Sequence, residues 1–217
     1  YSKSIQSRKL RGISTNQLLN KMARKIENRI QKRRSVTIIG EGLTEQYYFT
    51  HIRTLFGYHY TIKPYYFSVT SLVEIDKKIA EAIKDGGYAI AVFDADVASR
   101  NEAEKKKLES IRKKYSNKKN VLLCDSLTSI EYWFLLHHEN TNRFFKDSAA
   151  TEKELSKYIP DYEKKSVFLQ NIKWVSDLCS EGKLELAKTR AKAFGHNGES
   201  YSEIYKAFEF FEAIQTM

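Results

Sequence analysis

The sequence predicts an α/β protein: a four-stranded, mostly parallel sheet flanked by helices, with a basic N-terminal helix before it and a helical extension after it. Three observations predict this. Strand-like and helix-like segments alternate through residue 138, the pattern that builds parallel sheets. Residues 88–93 (YAIAVF) are apolar throughout, as a strand covered on both faces must be. The 217 residues, 41% hydrophobic and 13% aromatic, can bury one sizeable core but not two ordinary domains and a linker. The expected organisation is an arm over residues 1–34, an α/β domain over 35–140, and a helical extension over 141–217 packed on the same domain.

Each element follows from local pattern. Leu18, Leu19, Met22, Ala23, Ile26 and Ile30 recur at helical spacing, so Thr15 or Asn16 can cap an amphipathic helix with a basic outer face. Residues 35–40 (SVTIIG) are a β-branched run that ends at Gly40, Glu41 and Gly42, ahead of a helix over 43–56. Residues 60–70 read as a second strand, and Pro64 within it demotes it to an edge or a bend. Leu72, Ile75, Ile79 and Ile83 mark a helix that Gly86 and Gly87 stop. The strand over 88–93 runs straight into Asp94, Ala95 and Asp96. A charged helix over 101–115 and a short buried strand over 121–123 complete the α/β part. From Ile130 only helices are expected: 131–138, 152–159, 164–178, 184–194 and 201–214.

Composition excludes several function classes. No apolar run reaches the length of a membrane span, the N-terminus lacks the apolar core of a secretory signal, and a cytoplasmic protein is expected. Cys124 and Cys179 lack metal or redox spacing and read as buried free thiols. The net charge of +10 is unevenly placed. Residues 1–34 hold eleven bases, Arg33 and Arg34 among them, against one acid, Glu27, leaving 26 of each sign in the rest. Such an arm suits a polyanionic partner such as nucleic acid, or is a solvated tail.

The candidate chemistry lies in acids. Strands of a parallel sheet share one C-terminal rim, where ligands bind. Glu41 and the pair Asp94, Asp96 lie at two such ends, and Glu45 stands one helical turn after Glu41. If the two strands are neighbours, the carboxylates converge and repel. Oxygen ligands without His or Cys then select Mg²⁺ or Mn²⁺ over zinc, and such an ion activates water or stabilises a phosphoryl transition state. Gly40 and Gly42 would let backbone N–H groups approach a phosphate. The structural alternative is that Glu41 and Glu45 only favour a first helical turn and Asp94 only forms a turn.

The segments IIGEGLTEQYYF (38–49), VFDAD (92–96) and DSLTSIEYWFLLHHE (125–139), in this order and spacing, resemble the RloB family. That family is associated with bacterial restriction and abortive-infection loci. The resemblance spans roughly residues 33–210, with the tail (Tyr162, Lys164, AKTRAK, HNGES) the weaker part. It implies a Toprim-like (Rossmann-like) domain and a metal-dependent nuclease in antiviral defence, acting on nucleic acid, with RNA, transfer RNA included, favoured over DNA. By position, Glu41 matches the Toprim glutamate and Asp94 and Asp96 the acidic pair. Glu45 matches the second acid of OLD-type relatives, and Glu131 a further ligand or a structural acid. Lys164, beside Lys165, is implied at the scissile phosphate or else is solvated, and Arg33 and Arg34 would hold the phosphate backbone. Val97 to Arg100 lack the glycine of the longer DxDxxG form, and Gln46 replaces a frequent proline, setting the chain apart from primases and topoisomerases. The resemblance implies an ATPase or restriction-system partner too; the chain has no GxxxxGK[ST] loop, so any ATP dependence must come from elsewhere. Two rival readings stay open: a non-catalytic nucleic-acid-binding or sensor module, and an effector active only with an ATPase partner. Homo-oligomerisation is compatible with either.

Other residues read as structural. His137 and His138 end an apolar helix and lack zinc spacing. Tyr47, Tyr48, Phe49, Tyr65, Tyr66 and Phe67 pack a core in preference to stacking on bases. Phe168 and Trp174 anchor the later helices to the sheet.

Overall fold

The computed structural model describes residues 35–58, 62–65, 71–84, 86–96, 101–196 and 199–215. The expected basic helix, with Arg33 and Arg34, lies outside the described residues, as do Val97 to Arg100, Tyr66 and Phe67.

Strands β1 (Val36–Ile39), β2 (Ile62–Tyr65), β3 (Tyr88–Asp94) and β4 (Val121–Leu127) form a parallel sheet in the order β2-β1-β3-β4. Pro64 sits in edge strand β2 opposite Ile38, where its missing N–H removes no central ladder bond. A two-residue strand β5 (Tyr201–Ser202) pairs antiparallel with Ser126 and Leu127. The expectation of four strands followed only by helices is corrected here: two residues lie below the length at which strand periodicity is visible. Strand β4 also runs four residues past its expected end. Polar Asp125 and Ser126 hid the continuation, and tertiary partners satisfy both: Asp125 meets Arg112 and Tyr201, and Ser126 shares a hydroxyl hydrogen bond of 2.8 Å with Ser202.

Helix α1 (Leu43–Phe56) covers one sheet face, and α2 (Leu72–Lys84) with α3 (Glu102–Tyr115) covers the other. Strand alternation divides the core accordingly. Val36, Ile38, Ile90 and Val92 pack with Tyr48, Phe49 and Ile52 of α1, whereas Ile39, Ala89, Ala91 and Phe93 pack with Ile75, Ile79, Leu108 and Ile111. Because β2 lies outside β1, the chain reverses direction across the sheet, and the switch point falls between β1 and β3. The turn before β3 needs glycine: Gly86 has φ +75°, and a Cβ on Gly87 would stand 2.6 Å from the Ala82 carbonyl oxygen. Asn101 starts α3 by accepting from the Ala103 and Glu104 N–H groups at 2.9 and 3.3 Å. Asn101→Ala is expected to lower stability by about 1 kcal/mol, read as a shifted urea midpoint at constant slope.

The remaining helices are α4 (Ile130–Leu135), α5 (Ser148–Leu155), α6 (Ser166–Leu169), α7 (Lys173–Cys179), α8 (Lys183–Phe194) and α9 (Tyr205–Gln215). The single helix expected over 164–178 is two, broken at residues 170–172. Phe168 and Trp174 therefore sit on different helices, with rings 5.9 Å apart. Ser35–Met217 form one compact unit, and the α1-side core continues through Trp133, Phe134, Trp174, Ala187 and Phe208. Tyr48 lies at its centre, where its hydroxyl accepts from Trp133 Nε1 at 2.7 Å. His137 is buried and bonded through Nδ1 to the Trp133 carbonyl, and burial pushes its pKa down to about 3. It is a neutral core histidine. Cys124 is buried and Cys179 half-buried, and burial pushes the Cys179 thiol up to about 12. Among the described residues no helix is long and apolar enough to cross a membrane.

Candidate active site at the sheet switch point

Glu41 follows β1 and Asp94 ends β3, and these two strands are hydrogen-bonded neighbours. The fold therefore brings Glu41, Asp94 and Asp96 to one rim at the switch point. Their proximity shows in their electrostatics. Burial, and next the charge of Glu45, pushes the Glu41 carboxyl up to about 8, against which a hydrogen bond to the Asp94 backbone works. Asp96 adds further repulsion to Glu41. Asp94 is driven well above the carboxylate range by burial and then by Glu41, Glu45 and Glu131. Desolvation and like charge both disfavour the ionised forms, so these acids hold protons that ordinary carboxyls release.

Glu45 has a second task. Its Oε2 accepts from the Gly42 N–H at 2.9 Å, half of a capping box that starts α1. Burial, opposed by backbone hydrogen bonds and assisted by the charge of Glu131, leaves its pKa near 7. Both readings of this residue thus hold together, as a helix-start acid and as a member of the cluster. Gly42 itself is extended, with φ −155°, which any residue adopts. The conformational freedom expected of it is not used.

Glu131 and Lys164 enter from the helical extension. Glu131 is fully buried: Ser129 donates to its Oε2 at 2.6 Å, Tyr162 to its Oε1 at 2.8 Å, and Lys164 Nζ stands 3.1 Å from Oε2. Three donors make it a positioning acid more than an open metal ligand. Lys164 is exposed but ion-paired, because it also meets Glu152 at 2.8 Å. Burial works against its charge, but Glu131 and Glu152 hold its pKa above the ordinary lysine value. Lys165, by contrast, is 73% exposed and meets only Glu163. Sequence reasoning missed Ser129, Tyr162 and Glu152 as the partners that fix Glu131 and Lys164, and no spacing signal links them. Lys164→Met is expected to cost about 2 kcal/mol in a urea melt at neutral pH, the usual penalty for stranding a buried carboxylate discounted because the lysine is 38% exposed.

The cluster is all-oxygen, largely buried and short of cations, a donor set that suits a hard divalent ion. Among the described residues no group of three or more His, Cys, Asp and Glu side chains is already arranged around one point. Glu45 is turned back on Gly42, and Glu131 is held by three donors.

A family model described as RloB-like protein matches residues 36–210, a span that includes every acid of the cluster and Lys164. No curated protein and no solved structure matches the chain.

Proposed function

The chain belongs to the RloB-like protein family, and on that footing we propose that it is a Mg²⁺- or Mn²⁺-dependent nuclease with a Toprim-like catalytic rim, acting on nucleic acid in prokaryotic antiviral defence. One observation carries the reading: Glu41 and Asp94, from adjacent parallel strands, meet at the switch point with strongly raised proton affinities. Acids forced together at a ligand-binding rim cost stability, and a chemical role accounts for their persistence there.

Glu41, Asp94 and Asp96 would hold the ion, which when bound supplies charge neutralisation at a phosphodiester and an acidified water. The protein's own groups do the rest. Without the ion Glu41 holds a proton near neutral pH; binding an ion would release it, and a carboxylate oxygen of Glu41 could then exchange a proton with the attacking water or the leaving oxygen. Glu45 keeps the start of α1 fixed beside that carboxyl. Lys164, clamped by Glu131 and Glu152, places a fixed positive charge beside the acids, where a substrate phosphate would be attracted. Arg33 and Arg34 would grip the backbone without reading sequence. RNA, transfer RNA included, is the favoured substrate, on family resemblance alone.

A variant of this reading keeps the effector latent until an ATPase or defence-system partner releases it. The test is incubation of the full chain with Mn²⁺ or Mg²⁺ and separate pools of transfer RNA, single-stranded DNA and duplex DNA, beside the double variant Asp94→Ala, Asp96→Ala. Cutting by the parent and not by the variant is expected. Equal cutting by both removes the mechanism. Salt-sensitive binding with no cutting, with or without a partner ATPase, identifies a binding or sensor module instead.

A further inference from the structure

The β4 edge of the sheet is left half-covered. Asn120 accepts from Ala89 N–H at 2.9 Å and Ser126 from Ala95 N–H at 2.8 Å. Even-numbered residues of β4 therefore face β3, and Val121, Leu123 and Asp125 direct their backbone groups outward. Strand β5 pairs only with Ser126 and Leu127 before the chain turns into α9. Two of the outward groups are taken: Val121 N–H goes to the Lys118 carbonyl and the Asp125 carbonyl accepts from Glu203 N–H. Glu203 thereby stands opposite Asp125, and the Val121 carbonyl and both groups of Leu123 are left without a backbone partner among the described residues. They lie along a cleft of about 470 Å³ between Arg112 of α3 and the His196, Glu203 and Lys206 side.

The cleft carries a definite charge pattern. Its acids are sunk and its bases stand out: Asp125 is 0% exposed against 41% for its partner Arg112, and Glu203 14% against 35% for Lys206 and 47% for His196. Asp125 Oδ2 is held at 2.6 Å by both Arg112 and the Tyr201 hydroxyl, which fixes the guanidinium at the rim. The paired charges cancel in sum, but a visitor to the unfilled strand edge meets the bases before the acids.

We propose that this edge takes an extended acidic peptide from a partner protein as an added antiparallel strand beside residues 121–123. The residue opposite Leu123 makes both bonds of a ladder pair, and the one opposite Val121 donates to its carbonyl. Side chains of such a strand alternate, so acids reach Arg112 on one side of the sheet and Lys206 on the other. A peptide fits better than nucleic acid, because a phosphodiester backbone offers acceptors and leaves the Leu123 and Val121 carbonyls unmet. It fits better than a second copy, because α3 and the start of α9 flank the edge on opposite faces. The proposal does not depend on the acid cluster.

The test uses the full chain and a fluorescein-labelled peptide repeating Glu-Glu-Val-Val, which puts a glutamate on each face of the added strand, read by anisotropy together with amide hydrogen exchange. The expected result is binding that weakens at least about tenfold when the central peptide amide is N-methylated and similarly when glutamate is replaced by glutamine, with slowed exchange at the Leu123 amide. Leu123→Pro should abolish binding. If that variant does not fold, the N-methylated peptide decides alone, since it leaves the protein untouched. Binding indifferent to N-methylation, no binding by this peptide or by its aspartate counterpart, full displacement by single-stranded RNA without Leu123 protection, or concentration-dependent dimers that protect Leu123 in the free chain would each overturn it.

Discussion

Asp94→Asn is expected to lower metal-dependent cleavage by roughly 10²–10⁴-fold, while raising the stability of the metal-free protein by about 1 kcal/mol. The two effects share one cause. Burial and the charges of Glu41, Glu45 and Glu131 already drive the Asp94 carboxyl toward its protonated form. An amide of the same shape keeps the packing and loses the repulsion, but it is a poor ligand for a hard cation. A contrasting variant is Asp147→Ala, which removes the side chain that accepts from Ala150 N–H at 2.9 Å at the start of α5. It should cost about 1 kcal/mol and leave the rate alone. Cleavage rates and urea melts of both proteins check the pair. An Asp94→Asn protein that cuts at the parent rate, or that loses activity only in step with lost folding, would remove Asp94 from the chemistry.

Raising the pH from about 6 to about 8.5 without metal is expected to destabilise the protein by several kcal/mol, and Mn²⁺ is expected to restore most of that loss. Glu41 and Glu45 have folded-state pKa values near 8 and near 7, against an ordinary value of 4.5. Over this window the folded chain holds protons that the unfolded chain has released, so stability falls as pH climbs through the folded values. From pH 6 upward this is on the order of 1 kcal/mol for Glu45 and 3 kcal/mol for Glu41. On the acid side the sign reverses for another group: His137 is held neutral down to about 3, so stability also falls as pH drops below the ordinary histidine value. Between the ordinary carboxylate and histidine values the two raised carboxyls outweigh the one imidazole, so the metal-free optimum should lie near the ordinary carboxylate value of 4.5. Urea melts across this range, with and without Mn²⁺, measure it. Glu41→Gln and Glu45→Gln should each flatten the alkaline limb without metal. A flat profile in the parent would mean that the acids do not repel one another in solution.

Much of this architecture is legible in the chain because it rests on local physics. The apolar run at 88–93 can only be satisfied by burial on both faces, and β3 lies at the centre of the sheet with α1 on one side and α2 and α3 on the other. Pro64 cannot donate to a central ladder, and it stands in the edge strand. The acids at strand ends mark the rim, since in a parallel sheet strand direction alone sends Glu41 and Asp94 to the same side. Strand adjacency is another matter. Sequence leaves open whether β1 and β3 touch, and the crossing of β2 to the far side of β1 decides that they do.

What escaped the sequence was set by long-range pairing. The polar half of β4 extends because Asp125 finds Arg112 and Tyr201, and Ser126 finds Ser202, 76 residues away. Glu131 becomes a buried positioning acid because Tyr162 and Lys164 arrive from a different part of the chain. Periodicity reports which face of a segment seeks burial. It carries nothing about which distant donor will meet a buried oxygen, since that pairing exists only once the helices of residues 130–215 have packed on the sheet.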